Sequence, residues 1–162
     1  MTGIVNSTGA RSGIIGTIVG TPSGGPSYEE GTFTPSVLAA SSNPTCSYSA
    51  VRLGQYIKVG NMYLVMARVI LTAKTGGSGR IEVNLPSTPL DVTADYNGVT
   101  RCGGFDALQK PNYCSPVRNS ARVMFAHFDN ADARGAAWTS DTDISEVTTS
   151  GDIQFTVIYH AQ

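Results

Sequence analysis

The side chains that could do chemistry in this chain are few and widely spaced. His127 and His160 are its two histidines. His127 lies in an alternating segment on the same side as Val123 and Phe125, the setting of a hydrogen-bonded interior or interface histidine. A catalytic role would need a nucleophile and an orienting carboxylate beside it, and no motif supplies them. His160, near the C-terminus, is expected to be exposed or at a subunit contact. Cys46, Cys102 and Cys114 are odd in number and irregularly spaced, which argues against a disulfide framework. No Cys-x-x-Cys pair offers a zinc knuckle. Small, partly buried thiols in a reducing compartment are expected, and a Cys102–Cys114 bridge would require the two to lie on paired strands. The oxygen-rich clusters are Asp129-Asn130-Ala131-Asp132 and Asp141-Thr142-Asp143. Neither has the loop and closing glutamate of a calcium site, so Asx-type turns at strand ends are expected. Glu29 and Glu30 are adjacent, so in an extended chain they point to opposite faces and make a poor acid/base pair. A structural salt bridge suits them better. The expectation is no enzymatic activity, with no catalytic residue, cofactor or metal ligand.

The elements that would position these residues are strands. The chain has 162 residues, enough for one domain with a real core and a short appendage. Only 14% of residues are charged, against roughly 25% in soluble domains, so much of the surface is neutral and rich in hydroxyls. Such surfaces suit a protein packed against copies or partners. The net charge of −1 gives no electrostatic reason to bind nucleic acid or an anionic membrane. No apolar run is long enough to span a bilayer, and the first residues lack the basic and apolar regions of a signal peptide.

The first 27 residues are glycine-dotted, which disfavours a helix, yet they carry Ile4, Val5, Ile14, Ile15, Ile18 and Val19. Those apolar pairs are too many for a solvated linker, so residues 1–27 are expected to form an extended arm that docks on another protein. Asn6-Ser7-Thr8 matches a glycosylation acceptor by chance. The β domain is expected over 28–162. Thr32–Leu38 reads as a first strand and 41–45 as a turn. Tyr48, Ala50 and Arg52 alternate with Ser49 and Val51, and Gly54 and Gly60 bracket Gln55–Val59. Tyr63–Lys74 fits a helix in part, but Leu64 and Leu71 fall off the helical stripe and Gly-Gly-Ser-Gly follows in hairpin fashion. Read as a strand, it is apolar on both faces, with Leu64, Met66, Arg68 and Ile70 on one of them. Such a strand lies inside a sandwich or at a subunit contact, which makes Leu64, Met66 and Ile70 candidate trimer contacts. Further strands are expected at 80–85, 97–105, 121–128 and, most clearly, 153–159. About eight short strands without a long helix predict an antiparallel β-sandwich, jelly-roll-like. The stretch from Arg101 to Arg118 reads as a long loop carrying Phe105, Lys110 and Tyr113, a candidate recognition loop for a carbohydrate or a partner. The lone tryptophan, Trp138, reads as a core plug.

The segment Tyr28-Glu-Glu-Gly-Thr-Phe-Thr-Pro35, then Gly54-Gln-Tyr-Ile-Lys-Val-Gly-Asn61, a long apolar strand and Leu85-Pro86 resembles the terminal knob domains of bacteriophage tail fibres and related virion proteins. The closing Ser150–Tyr159 is similar to the final strand of that group, and Asn6–Thr17 to a linker recurring in phage structural proteins. Residues 87–120 match nothing in the group. The resemblance implies a homotrimeric, non-enzymatic β-sandwich on a phage particle, held to another virion protein by its arm. A fibre-tip role in host attachment, with a host-surface glycan or protein as partner, stands ahead of capsid decoration, in which the arm grips the shell. The short arm in place of a shaft keeps both readings open. A carbohydrate-degrading depolymerase is a remote third, since it would need two carboxylates about 5–9.5 Å apart and the chain has few acids outside turns. The expected location is the virion, assembled in the host cytoplasm.

Overall fold

Alternating apolar and polar residues become strands wherever described. The computed structural model describes residues 26–90, 98–105, 110–128 and 139–162. Its strands are β1 (Tyr28–Phe33), β2 (Val37–Ala39), β3 (Thr45–Val59), β4 (Met62–Thr75), β5 (Ile81–Asn84), β6 (Gly98–Phe105), β7 (Tyr113–Pro116), β8 (Arg122–Phe128), β9 (Thr139–Asp141) and β10 (Val147–His160). A 3-10 turn at Ile144–Glu146 is the one helical element among the described residues. Every strand pair is antiparallel, and the strands form one sheet in the order β1-β3-β4-β10-β6-β7-β8-β5-β2, with β9 beside β8.

The sheet curls until its two ends face each other, which yields the two layers of a sandwich from one continuous sheet. Tyr48 of β3 and Val37 of β2 lie near opposite ends of the strand order, yet the Val37 N–H donates to Tyr48 Oη at 3.0 Å. Arg52 completes this clasp. Its guanidinium stacks 3.9 Å from the centre of the Tyr48 ring, its Nε donates to the Pro35 carbonyl at 2.7 Å, and its Nη2 donates to Ser36 Oγ. A bulge places both residues inward: β3 advances from Tyr48 to Arg52 while β4 moves only from Leu71 to Val69. Between the layers, Phe125 of β8 meets Phe155 of β10 edge-on at 5.6 Å, while within one layer the cross-strand partners Tyr63 and Tyr159 stack at 5.4 Å. The core takes Tyr63, Val65, Val69 and Leu71 from β4, with Ile153, Phe155, Val157 and Tyr159 from β10.

The two stretches that carry the fibre-knob resemblance prove to be cross-strand partners, in register from Tyr28↔Val59 to Phe33↔Gly54. Their glycines have a steric reason. A Cβ on Gly31 would sit 2.6 Å from Tyr56 Oη, and one on Gly54 would overlap the Phe33 ring. Each glycine is thus roofed by the aromatic ring of the opposite strand. Glu29 accepts from Tyr56 Oη at 2.7 Å and pairs with Lys58 at 3.5 Å, while Glu30 turns to the other face and accepts from Tyr28 Oη at 3.0 Å.

Several boundaries differ from the sequence expectation. The first strand is interrupted at Pro35, which cannot donate to a ladder. Gly54 does not end a strand but lies inside β3. Strand β7 falls in the stretch expected to be a loop, because four residues ending in proline carry no readable alternation.

Candidate interaction surface

Curling covers one face of β4 and leaves the other outside. On that outward face the side chains stand in cross-strand rungs. Tyr28, Val59, Met62 and His160 form the first, and Glu30, Ile57, Leu64 and Ile158 the second. Thr32, Gln55, Met66, Thr156 and Val99 form the third. Leu53, Arg68, Gln154 and Arg101 form the fourth, and Ile70, Asp152 and Gly103 the fifth. Much of this face is apolar and wet. Val99 is 70% exposed, Tyr28 59%, Leu53 53%, Ile158 49% and Met66 42%. Among the described residues, nine large hydrophobic side chains are exposed; all except Leu90 lie on this face or, for Val51, on its rim. Clustering on one side of one sheet makes this face the candidate interaction surface, whereas scattered exposed hydrophobics would need no explanation.

An open groove of about 540 Å³ crosses four strands of the face. Val51 and Leu53 of β3, Met66 of β4 and Val99 of β6 give it an apolar lining, and Gln55, Gln154 and Thr156 add amide and hydroxyl groups. Arg68 grips Asp152 with two hydrogen bonds, 3.1 Å from Nε to Oδ1 and 2.8 Å from Nη2 to Oδ2. Those bonds hold the Asp152 carboxyl below the usual range, and the nearby Arg101 charge acts in the same direction.

The outward side of the opposite layer is different. There Glu82 is buried between Arg80 at 2.8 Å and Arg122 at 2.9 Å, and Arg80 reaches Asp141 at 3.3 Å. Here the buried carboxylate has its charged partners within the chain.

The candidate trimer contacts Leu64, Met66 and Ile70 all fall on the outward face of β4, with Leu64 and Ile70 half-buried. The candidate recognition residues do not share a loop. Arg101 and Phe105 are on β6, and Phe105 is buried in the core, where its ring is committed to packing. Tyr113 opens β7, Arg118 follows it in a turn, and Lys110 is exposed just before it. Arg101 alone of the five borders the groove. The arm residues Ile4, Val5, Ile14, Ile15, Ile18 and Val19 lie outside the described residues, as do Asp129, Asp132 and Trp138. His127 Nδ1 is 3.1 Å from Thr142 Oγ1, with both residues buried. Asp143 caps the 3-10 turn by accepting from the Ser145 N–H at 2.8 Å. Among the described residues, no three His, Cys, Asp or Glu side chains are grouped to hold a metal. All three cysteines are free thiols; burial pushes Cys102 up to about 11 and Cys114 up to about 12.

Sequence reasoning missed Leu53, Val99 and Ile158. A signal was present for Ile158: it interrupts the polar face formed by Asp152, Gln154, Thr156 and His160.

No protein-family model matches the chain, and no curated protein sequence does. Among solved structures, Dettilon tailspike protein (gp208) superposes with a TM-score of 0.62 at 15% sequence identity. The match covers 82% of this chain and 24% of the tailspike, so the chain spans about a quarter of that protein's length. At that identity the likeness is one of fold: this chain has the all-β architecture found in a portion of a tailspike.

Proposed function

We propose that this chain is a non-enzymatic virion component of a bacteriophage, a homotrimeric β-sandwich knob at a tail-fibre tip that takes part in host attachment. The apolar face of β4 and its neighbours, which no described residue covers, carries the reading. Transfer of apolar surface out of water yields about 25 cal/mol per Å², so a face of this kind favours association, and a homo-oligomer supplies its own cover. The fold likeness to part of a tailspike and the paired motifs at 28–35 and 54–61 support the virion setting. On this reading Leu64, Met66 and Ile70 lie at the contact between copies, and the N-terminal arm holds the knob to another virion protein.

The test has two arms. Light scattering of the purified chain is expected to give three times the chain mass, and the trimer is expected to bind host cells and compete with infection. Copy number per particle, from quantitative mass spectrometry, then locates it. A few to a few tens of copies fit a fibre, and hundreds would move the chain to the capsid surface as a decoration protein. Release of reducing ends from host polysaccharide would overturn the non-enzymatic reading.

A further inference from the structure

We infer that the groove on the outward face is filled by residues 13–20 of a sister copy's N-terminal arm. The inference rests on the homotrimer reading and names the part of the sister chain that seats on the face. Three observations lead to it.

The first is where the arm joins the domain. The Gly60 N–H donates to the Ser27 carbonyl at 2.7 Å, so the chain reaches β1 in line with the strand, from beyond the β3–β4 turn. An arm that continued this line would run away from its own face and toward a neighbouring copy. The second is reach. Twenty-five residues precede Pro26. An extended chain advances about 3.3–3.6 Å per residue, so the arm spans up to roughly 80 Å, while five strands about 4.8 Å apart are crossed in roughly 20 Å. A neighbouring copy is well within range.

The third is chemical fit. Residues 13–20 read Gly-Ile-Ile-Gly-Thr-Ile-Val-Gly and contain no charge. In an extended segment Ile14 and Ile18 point to one side and Ile15 and Val19 to the other. A strand apolar on both sides needs cover on both, and a place between two copies supplies it. The glycines let the backbone approach closely, and Gln55, Gln154 and Thr156 offer partners for backbone groups that an extended segment leaves unpaired.

The experiment uses the full chain with Leu53→p-benzoylphenylalanine, assembled from a mixture of isotopically light and heavy chains, irradiated and mapped by mass spectrometry. Cross-links that join Leu53 of one copy to residues 13–20 of another are the expected result. Cross-links within single chains would overturn exchange of the arm. Cross-links between copies that land on the sister's β3, β4 or β10 would overturn the arm as occupant and leave the homotrimer intact. A monomer by light scattering would remove the homotrimer and this inference together. In a second variant, Ile15→Asp with Ile18→Asp in the full chain, self-association is expected to weaken at least about tenfold while the unfolding transition of the sheet stays in place. Unchanged association would overturn the inference.

Discussion

The outward surfaces of the two layers solve opposite problems. Around β5 and β8 a carboxylate is buried, but Arg80 just before β5 and Arg122 on the neighbouring β8 reach it, and Asp141 engages Arg80 from β9. Around β3, β4, β10 and β6 the Arg68–Asp152 pair stands among rungs that mix exposed apolar side chains with amides and hydroxyls. On the first surface the buried charge is balanced within the chain. The second has side chains that would be better off out of water, and the chain's described residues do not cover them. Folding and assembly should therefore respond to different residues of the same molecule.

That separation can be broken experimentally. The largest effect is expected from Glu82→Ala, which strips the centre from a buried ion cluster. A loss of about 3 kcal/mol of folding stability in urea denaturation is expected, with the oligomeric state on light scattering unchanged. A change of assembly with intact folding would invert the comparison. Next is Gly54→Ala, whose methyl group would strike the Phe33 ring. Overpacking there should cost about 1–3 kcal/mol, and the Gly54→Ala, Phe33→Ala double variant should lose less than the sum of the singles, because the second change removes the obstacle.

On the other surface, Met66→Ser is expected to change folding stability by no more than about 0.5 kcal/mol when measured at a chain concentration where scattering shows monomer. The same variant should weaken trimer formation. Unchanged association would show that this part of the face is not a contact.

The smallest effect concerns acid. Asp152 and Asp143 both have carboxyls below their usual range, Asp152 chiefly through Arg68 and Asp143 chiefly through the Ser145 backbone N–H. A carboxyl lowered in the folded state adds stability that is complete above its unfolded value and disappears as pH falls through the folded one. Thermal stability should therefore fall as pH drops below the ordinary carboxylate range. Asp152→Asn should flatten that acid limb while shifting the neutral-pH Tm by no more than about 2 °C. An acid limb identical in the variant would show that this pair plays no part in it.

The strand pattern was legible where alternation is sustained. Ile153, Phe155, Val157 and Tyr159 were assigned to one face from the sequence and are buried together in the core. The β1–β3 pairing was half legible: both motifs stood out, but their register was not, because a roof of Tyr56 over Gly31 joins residues distant along the chain. The Tyr48–Arg52 clasp was not legible at all. It depends on a bulge in β3 and on the arrival of β2 from the other end of the sheet. The strands within 101–118, expected to be one loop, were not legible for a related reason. Arg101 and Phe105 share a strand, where they take different environments, one on the groove and one in the core.

What the sequence determined by itself is that β4 is a strand with two apolar faces, since a period of two residues is a local property of the chain. It could not say which face the core would take. Tyr63, Val65 and Val69 were as suitable for burial as Leu64, Met66 and Ile70. The tertiary structure made the choice: Phe155 and Tyr159 of the adjacent β10 extend the first side, Phe125 from β8 arrives over it when the sheet curls, and no described element arrives on the second.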